Sequence, residues 1–204
     1  MYKSVFKRTI DFAIALILLL LFSPILIILT LILTIDFKGN PFFIQSRPGK
    51  KDKSFNIIKF KTMDEKRDLS GNLLPDKERL TKMGSFIRKT SLDELPQLVN
   101  VLIGDMSLIG PRPLLKQYLP FYTKRERIRH NVRPGITGLA QTSGRNNLNW
   151  DERLELDAFY VENLSLKLDI KLLIRTIKNV ISRKDVLVIP GEKFTTLDKH
   201  RSND

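Results

Sequence analysis

The stretch FAIALILLLLFSPILIILTLILTI, from Phe12 to Ile35, contains no charged residue and decides how the rest of the chain is read. At about 1.5 Å of helical rise per residue it is ~36 Å long, enough to cover a hydrocarbon core of ~30 Å. It is too long for the apolar region of a secretory signal peptide, no small-x-small cleavage site follows, and its distal flank is basic. Ser23-Pro24 divides it into two apolar halves, Phe12–Phe22 and Ile25–Ile35, each ~16 Å long and about half a bilayer deep. Proline removes a backbone hydrogen bond and clashes with the carbonyl four residues back, which predicts a kink. The Ser23 hydroxyl is a candidate to satisfy a freed carbonyl. Lys3, Lys7 and Arg8 precede the run, and Lys38, Arg47, Lys50, Lys51 and Lys53 follow it. Positive charge favours the cytoplasmic side, and both flanks qualify. A re-entrant hairpin that enters and leaves by one face satisfies both flanks, whereas a kinked spanning helix strands one outside. The residues alone leave the two open.

The 204 residues have room for one globular domain behind this anchor. The absence of cysteine excludes disulfides, thiolate chemistry and Cys-ligated metal. The two histidines, His130 and His200, are far apart, which argues against a Ser-His-Asp triad or a histidine-rich metal site. Any metal points to Mg²⁺ or Mn²⁺ on carboxylate oxygens. A formal charge of +13, from 35 Lys+Arg against 22 Asp+Glu, suits nucleic acid, an anionic membrane or a phosphate-rich substrate. Charge is the sole support for nucleic acid, because no helix-turn-helix signature, zinc spacing or RNP-like aromatic pair occurs. There is also no Gly-x-x-x-x-Gly-Lys phosphate loop.

Behind the anchor the pattern predicts an α+β arrangement: a small, mostly helical cytosolic domain with a β-hairpin. Its parts are the apolar membrane segment over 1–36, a globular domain over 37–190 and a flexible tail over 191–204. Pro41–Ser46 and Ser54–Lys61 read as strands around the turn Arg47-Pro48-Gly49-Lys50. Asp64–Asp76 reads as a loop and Lys77–Lys89 as a helix. Ser91-Leu92-Asp93-Glu94 matches a capping box, opening a helix that ends at Gly104. Arg133–Gly138 and Thr142–Asn149 read as loops, and Asp151–Asn163 and Leu168–Arg183 as helices. In the last of these Ile170, Leu173, Ile174, Ile177, Val180 and Ile181 share one face, opposite Lys171, Arg175, Lys178 and Ser182. Such a helix fits either a membrane interface or a core face with a solvated basic side.

The chemistry-bearing residues cluster around Asp93-Glu94. Carboxylates serve as nucleophile, base or metal ligand, and arginines hold phosphates. The acidic pair lies between Arg88 and Arg112. A cap explains Ser91 and Glu94 and leaves Asp93 over. Arg112, between Pro111 and Pro113, is a stiffly presented guanidinium. Lys59 lies on a strand among apolar neighbours, and Arg145 follows a glycine in a loop. Individually, each is equally consistent with an exposed surface charge.

With these motifs the chain resembles the monotopic phosphoglycosyl transferases, bacterial sugar-phosphate transferases that act on polyprenyl phosphate. The resemblance runs from the anchor to about Ser182. It rests on residues 90–113, Lys59-Phe60-Lys61-Thr62-Met63, Arg133-Pro134-Gly135-Ile136-Thr137-Gly138 and Leu168-Asp169. Lys61 and Leu139 depart mildly from the family pattern. The chain looks like the minimal catalytic form, without added N-terminal membrane helices. The resemblance implies a ping-pong transfer of a sugar 1-phosphate from a UDP-sugar to polyprenyl (undecaprenyl) phosphate, with release of UMP. This would be the first membrane step of glycoconjugate or protein N-glycan assembly. It implies Asp93 as nucleophile and metal contact, Glu94 as its catalytic partner, and Mg²⁺ as cofactor. Arg88, Arg112 and Arg145 would bind phosphates, with Lys59 and Asp169 supporting the site. It also makes residues 1–36 a re-entrant membrane helix and residues 37–190 the catalytic domain. It implies an inner-membrane location on the cytoplasmic face with both termini cytoplasmic, contact with membrane lipid, and no nucleic acid. Association with downstream glycosyltransferases is compatible with that place. The small size resembles the family form acting on N,N'-diacetylbacillosamine. The competing expectation is a non-catalytic anchored module that binds anionic lipid or nucleic acid through its basic surface.

Overall fold

The apolar run lies within a single helix, α1 (Lys7–Asp36), preceded by a π-helical turn at Tyr2–Phe6. The computed structural model describes residues 2–144, 148–182 and 196–202. Pro24 sits inside α1, which remains helical through Ser23-Pro24. The local chemistry explains the continuity. The Ser23 hydroxyl donates to the Leu20 carbonyl at 2.8 Å, the acceptor that proline leaves without its backbone partner. The helix is long and apolar enough to cross a membrane, and only 11% of its most apolar window is buried.

Both ends of α1 nevertheless rest on the same body. At the first turns Lys7 Nζ donates to Asp169 Oδ2 at 2.7 Å, and the Ser107 hydroxyl donates to Asp11 Oδ2 at 2.6 Å. Arg8 donates to the carbonyls of Val101 and Leu102. Towards the other end, Leu29 and Leu33 pack with Phe60 and Ile87.

The hairpin forms as the alternation predicts. β1 (Phe42–Pro48) and β2 (Ser54–Phe60) pair antiparallel, with Phe42 opposite Phe60 and Arg47 opposite Phe55. β1 runs through Arg47-Pro48, so the turn begins at Gly49. The helix expected over Lys77–Lys89 is two pieces, α2 (Asp76–Arg79) and α3 (Lys82–Lys89). Between them Leu80 is extended and bridges to Met63, and Thr81 caps α3 by accepting from Gly84 N at 2.8 Å. Gly84 lies so close to the Thr62 backbone that a Cβ there would sit 1.9 Å from the Thr62 carbonyl oxygen.

The capping box is also not found. Ser91 has φ 57 and no side-chain cap; Leu92–Glu94 form a single 3-10 turn, and α4 spans Gln97–Ile103. Gly104 ends α4 as predicted, at φ 97. Two three-residue strands, β3 (Ser107–Ile109) and β4 (Gly135–Thr137), pair in parallel, the second within the segment read as a loop. Gly135 permits the approach, since a Cβ there would fall 2.1 Å from Gly110 N. α5 (Leu139–Ser143) follows. α6 (Trp150–Glu162) has a capping box of its own between Asn149 and Glu152, and α7 spans Leu166–Ser182.

The main core joins Ala15 of α1, Ile57 of β2, Val101 of α4, Leu108 of β3, Tyr160 of α6 and Leu172 of α7. On α7, Leu172 is buried, while Ile170, Ile174, Ile177, Val180 and Ile181 remain exposed. The region read as a flexible tail contains α8 (Leu197–Ser202), which is docked. Leu197 is fully buried against Tyr118 and Leu154, and Arg201 pairs with Glu126 at 2.6 Å. Residues 191–195 lie outside the described residues.

Candidate active site

Four separate segments bring their charged side chains to one cavity of 1210 Å³. β2 contributes Lys59, α3 contributes Arg88, the 3-10 turn contributes Asp93 and Glu94, and the segment after β3 contributes Arg112. The left-handed Ser91 starts that turn immediately after α3, where a longer link would separate Arg88 from the carboxylates.

Glu94 is the electrostatic hub. Lys59 Nζ and Arg112 both donate to its Oε1 at 2.7 Å. Burial acts to raise the Glu94 pKa, but Arg112 and Lys59 outweigh it and hold this carboxyl well below the usual carboxylate range. Asp93 differs. It makes no ion pair or side-chain hydrogen bond among the described residues. Burial, then the neighbouring Glu94 charge, push its carboxyl up to about 6, against the pull of Lys59, Arg112 and Arg88. Arg88 is braced by its Nε bond to the Thr62 hydroxyl at 2.8 Å. The close seat of Gly84 on Thr62 fixes that brace.

One wall of the cavity is apolar, formed by Leu18 and Phe22 of α1 with Leu173 and Val180 of α7. The lining also includes Arg47, Arg129 and Arg153, none of which the sequence reading singled out as a site residue. Arg47 had been read as part of a turn. Arg129 is ion-paired to the buried Asp157 at 2.8 Å and donates to the Arg112 carbonyl at 2.7 Å, so it fixes the backbone of the Arg112 segment.

The sequence expectations divide accordingly. Lys59, Arg88, Asp93, Glu94 and Arg112 converge. Asp169 does not line the cavity: it is buried and accepts from Tyr2, Lys7 and Tyr160, bonds that fasten α1 to α7. Arg145 lies outside the described residues. Among the described residues, no three His, Asp or Glu side chains gather into a metal cluster. That donor set suits Mg²⁺ better than a metal needing a full protein cage, because Mg²⁺ binds through one or two carboxylates plus substrate phosphates. Asp93 offers such a carboxylate.

Comparison with known proteins agrees with this geometry. A profile of the bacterial sugar transferase family matches residues 2–183. The uncharacterized sugar transferase EpsL of Bacillus subtilis is 47% identical over 194 residues, covering 94% of this chain and 96% of its own. The undecaprenyl-phosphate galactose phosphotransferase of Salmonella typhimurium is 39% identical over 194 residues, covering 87% of this chain and 40% of its own. The UDP-N-acetylgalactosamine-undecaprenyl-phosphate N-acetylgalactosaminephosphotransferase of Aeromonas hydrophila is 37% identical over 188 residues, covering 86% and 44%. The chain thus spans nearly all of EpsL and under half of the other two. It belongs to the bacterial sugar transferases, the phosphoglycosyl transferase family that its motifs resemble. It is therefore an enzyme, and the non-catalytic module is set aside.

Proposed function

We propose that this enzyme transfers a sugar 1-phosphate from a UDP-sugar to polyprenyl (undecaprenyl) phosphate through a phosphosugar carried on Asp93. The observation that carries the reading is the contrast within the acidic pair. Glu94 is neutralised by two cations, while among the described residues Asp93, lining the same cavity, makes no ion pair. An Asp93 oxygen attacks the phosphorus bearing the sugar. The bond from that phosphorus to the bridging oxygen breaks, and UMP leaves with the bridging oxygen and its electron pair. An oxygen of polyprenyl phosphate then attacks the same phosphorus, forming the diphosphate and returning the Asp93 carboxylate. Lys59, Arg88 and Arg112 orient the phosphates and offset their charge. Mg²⁺, held by Asp93 and the diphosphate, would supply further charge neutralisation. Incubation with UDP-sugar radiolabelled in the sugar, Mg²⁺ and no lipid acceptor should release UMP and leave label on the protein. Release without retained label would exclude the covalent route.

The attacking group is the carboxylate, so its pKa sets the acid limb. Protonation removes the nucleophile, so the first half-reaction should slow toward acid pH, and burial with the Glu94 charge moves that loss up from the ordinary carboxylate range. A first half-reaction insensitive to acid pH would remove Asp93 from the step.

The setting proposed is the cytoplasmic face of the bacterial inner membrane, with α1 re-entrant. A spanning helix separates its ends by ~30 Å of hydrocarbon, yet Lys7 and Leu33 both contact the one body. The exposed face of α7 suits the same interface. Tags at the two termini should both be accessible from the cytoplasm, and a periplasmic N-terminus would refute the hairpin. For the sugar we retain N,N'-diacetylbacillosamine as the proposal, on size resemblance alone. Relatives bear galactose and N-acetylgalactosamine names, and turnover across a panel of these UDP-sugars decides between them.

A further inference from the structure

Arg47 and Arg153 join Arg112 in the cavity lining, and the nearest described carboxylates are already engaged. Glu94 is shared by Lys59 and Arg112, and Asp157 is taken by Arg129 through bonds of 2.8 and 3.2 Å. Arg47, on β1, makes no ion pair among the described residues. One of its terminal nitrogens donates to Gln45 Oε1 at 2.5 Å, and its Nε is buried without an acceptor. Arg153, on α6, stacks over the Trp150 ring with 5.0 Å to the centroid. Both line the cavity with Arg112. Burial first, and then the nearby Arg112 charge, lower the pKa of each, so an anion among the three guanidiniums would relieve real repulsion.

Arg47 lies at the end of β1 away from the contact with the C-terminal part of α1. Phe42 stacks on Phe60 at the end of the hairpin that Leu29 and Leu33 cover. Arg47 lies five residues further along β1, roughly 17 Å at about 3.3 Å per residue. The apolar wall of Leu18, Phe22, Leu173 and Val180 is where a polyprenyl chain would be accommodated.

We propose that Arg47 and Arg153 hold the nucleotide α-phosphate of the UDP-sugar and stabilise UMP as it leaves. This rests on the functional reading above and adds two substrate-binding residues to it. In the intact diphosphate the α-phosphate carries one negative charge. When the bond between the bridging oxygen and the attacked phosphorus breaks, the electron pair stays on UMP, whose phosphate becomes a dianion. Guanidiniums already fixed around that position meet the new charge without reorganising. Polyprenyl phosphate, arriving along the apolar wall, has no need of them.

The test uses the full-length detergent-solubilised enzyme, with UMP as the calorimetric probe and the first-turnover burst of UMP as the kinetic one. Arg47→Gln and Arg153→Gln should each weaken UMP binding at least tenfold, raise KM for the UDP-sugar and slow the burst. KM for polyprenyl phosphate should stay within twofold. Arg47→Lys, which keeps the charge and most of the bulk, should recover part of the UMP affinity, and it provides the measurement if the glutamine variant does not fold. A wild-type enzyme that binds no UMP overturns the functional reading itself. A wild type that binds UMP while Arg47→Gln, or Arg47→Lys in its place, binds it equally well overturns this subsite alone. A raised KM for polyprenyl phosphate with unchanged UMP affinity also overturns it and gives the arginines to the lipid phosphate.

Discussion

Asp93→Asn should retain no label from the UDP-sugar and release UMP at least about 10⁴-fold more slowly than wild type, as removal of a covalent nucleophile does elsewhere. Asparagine keeps the shape and leaves Glu94 with Lys59 and Arg112, so the loss isolates one oxygen's nucleophilicity. The same substitution should stabilise the fold. An acid raised from 3.8 to about 6 carries no penalty below its unfolded pKa, and a full one once pH exceeds its folded pKa. At neutral pH that penalty is about 3 kcal/mol. The amide removes it, so Asp93→Asn should melt several degrees above wild type at pH 7, and the advantage should fade as pH falls from 6 toward 3.8. An inactive but more stable variant cannot owe its inactivity to unfolding. Turnover within tenfold of wild type would reject Asp93 as nucleophile.

Glu94→Gln is a different case, because it takes the shared negative charge from two cations. Asp93 would then lose its principal like-charge neighbour. The two acids are adjacent in sequence but differ in kind: one sets the field and the other reacts in it.

That division was only half legible in the sequence. Asp93 and Glu94 stood out between two arginines, but the local pattern assigned Glu94 to a helix cap. The side chain is instead drawn to Lys59 and Arg112, whose positions depend on β2 and on the segment after β3. A four-residue motif contains no information about partners that arrive through tertiary structure, and Ser91 in the left-handed region removes the geometry a cap needs. The hairpin, α6 and α7 were legible because their periodicity persists for seven residues or more. β3 and β4 were not: three residues give no period, and their pairing depends on backbone contact between Gly110 and Gly135. Arg47 and Arg153 sit on an ordinary strand and helix. What marks them is the cavity they share, and linear spacing does not show it.

Asp169 is the reverse case, a residue that motif resemblance assigned to substrate and the fold assigns to architecture. Its carboxylate accepts from Tyr2 at 2.5 Å, Lys7 at 2.7 Å and Tyr160 at 2.8 Å. It therefore joins the segment before α1, α1 itself and α6 to the first turn of α7. Asp169→Ala leaves the buried Lys7 ammonium with Asp11 alone, 3.8 Å away. Breaking a buried ion pair by removing one partner costs about 3–5 kcal/mol, a large part of a typical ~5–15 kcal/mol stability. The melting temperature should fall by roughly 10 °C. Tyr160→Phe, which removes one neutral donor, should cost only about 1 kcal/mol. In the Asp169→Ala protein that remains folded, KM for the UDP-sugar should stay within twofold, because none of the three bonds reaches the cavity. Label retention on Asp93 should likewise survive. A tenfold rise in KM with an unchanged melting temperature would return Asp169 to the substrate. The paired measurement thus separates a residue that touches the reaction from one that holds the membrane helix against the catalytic body.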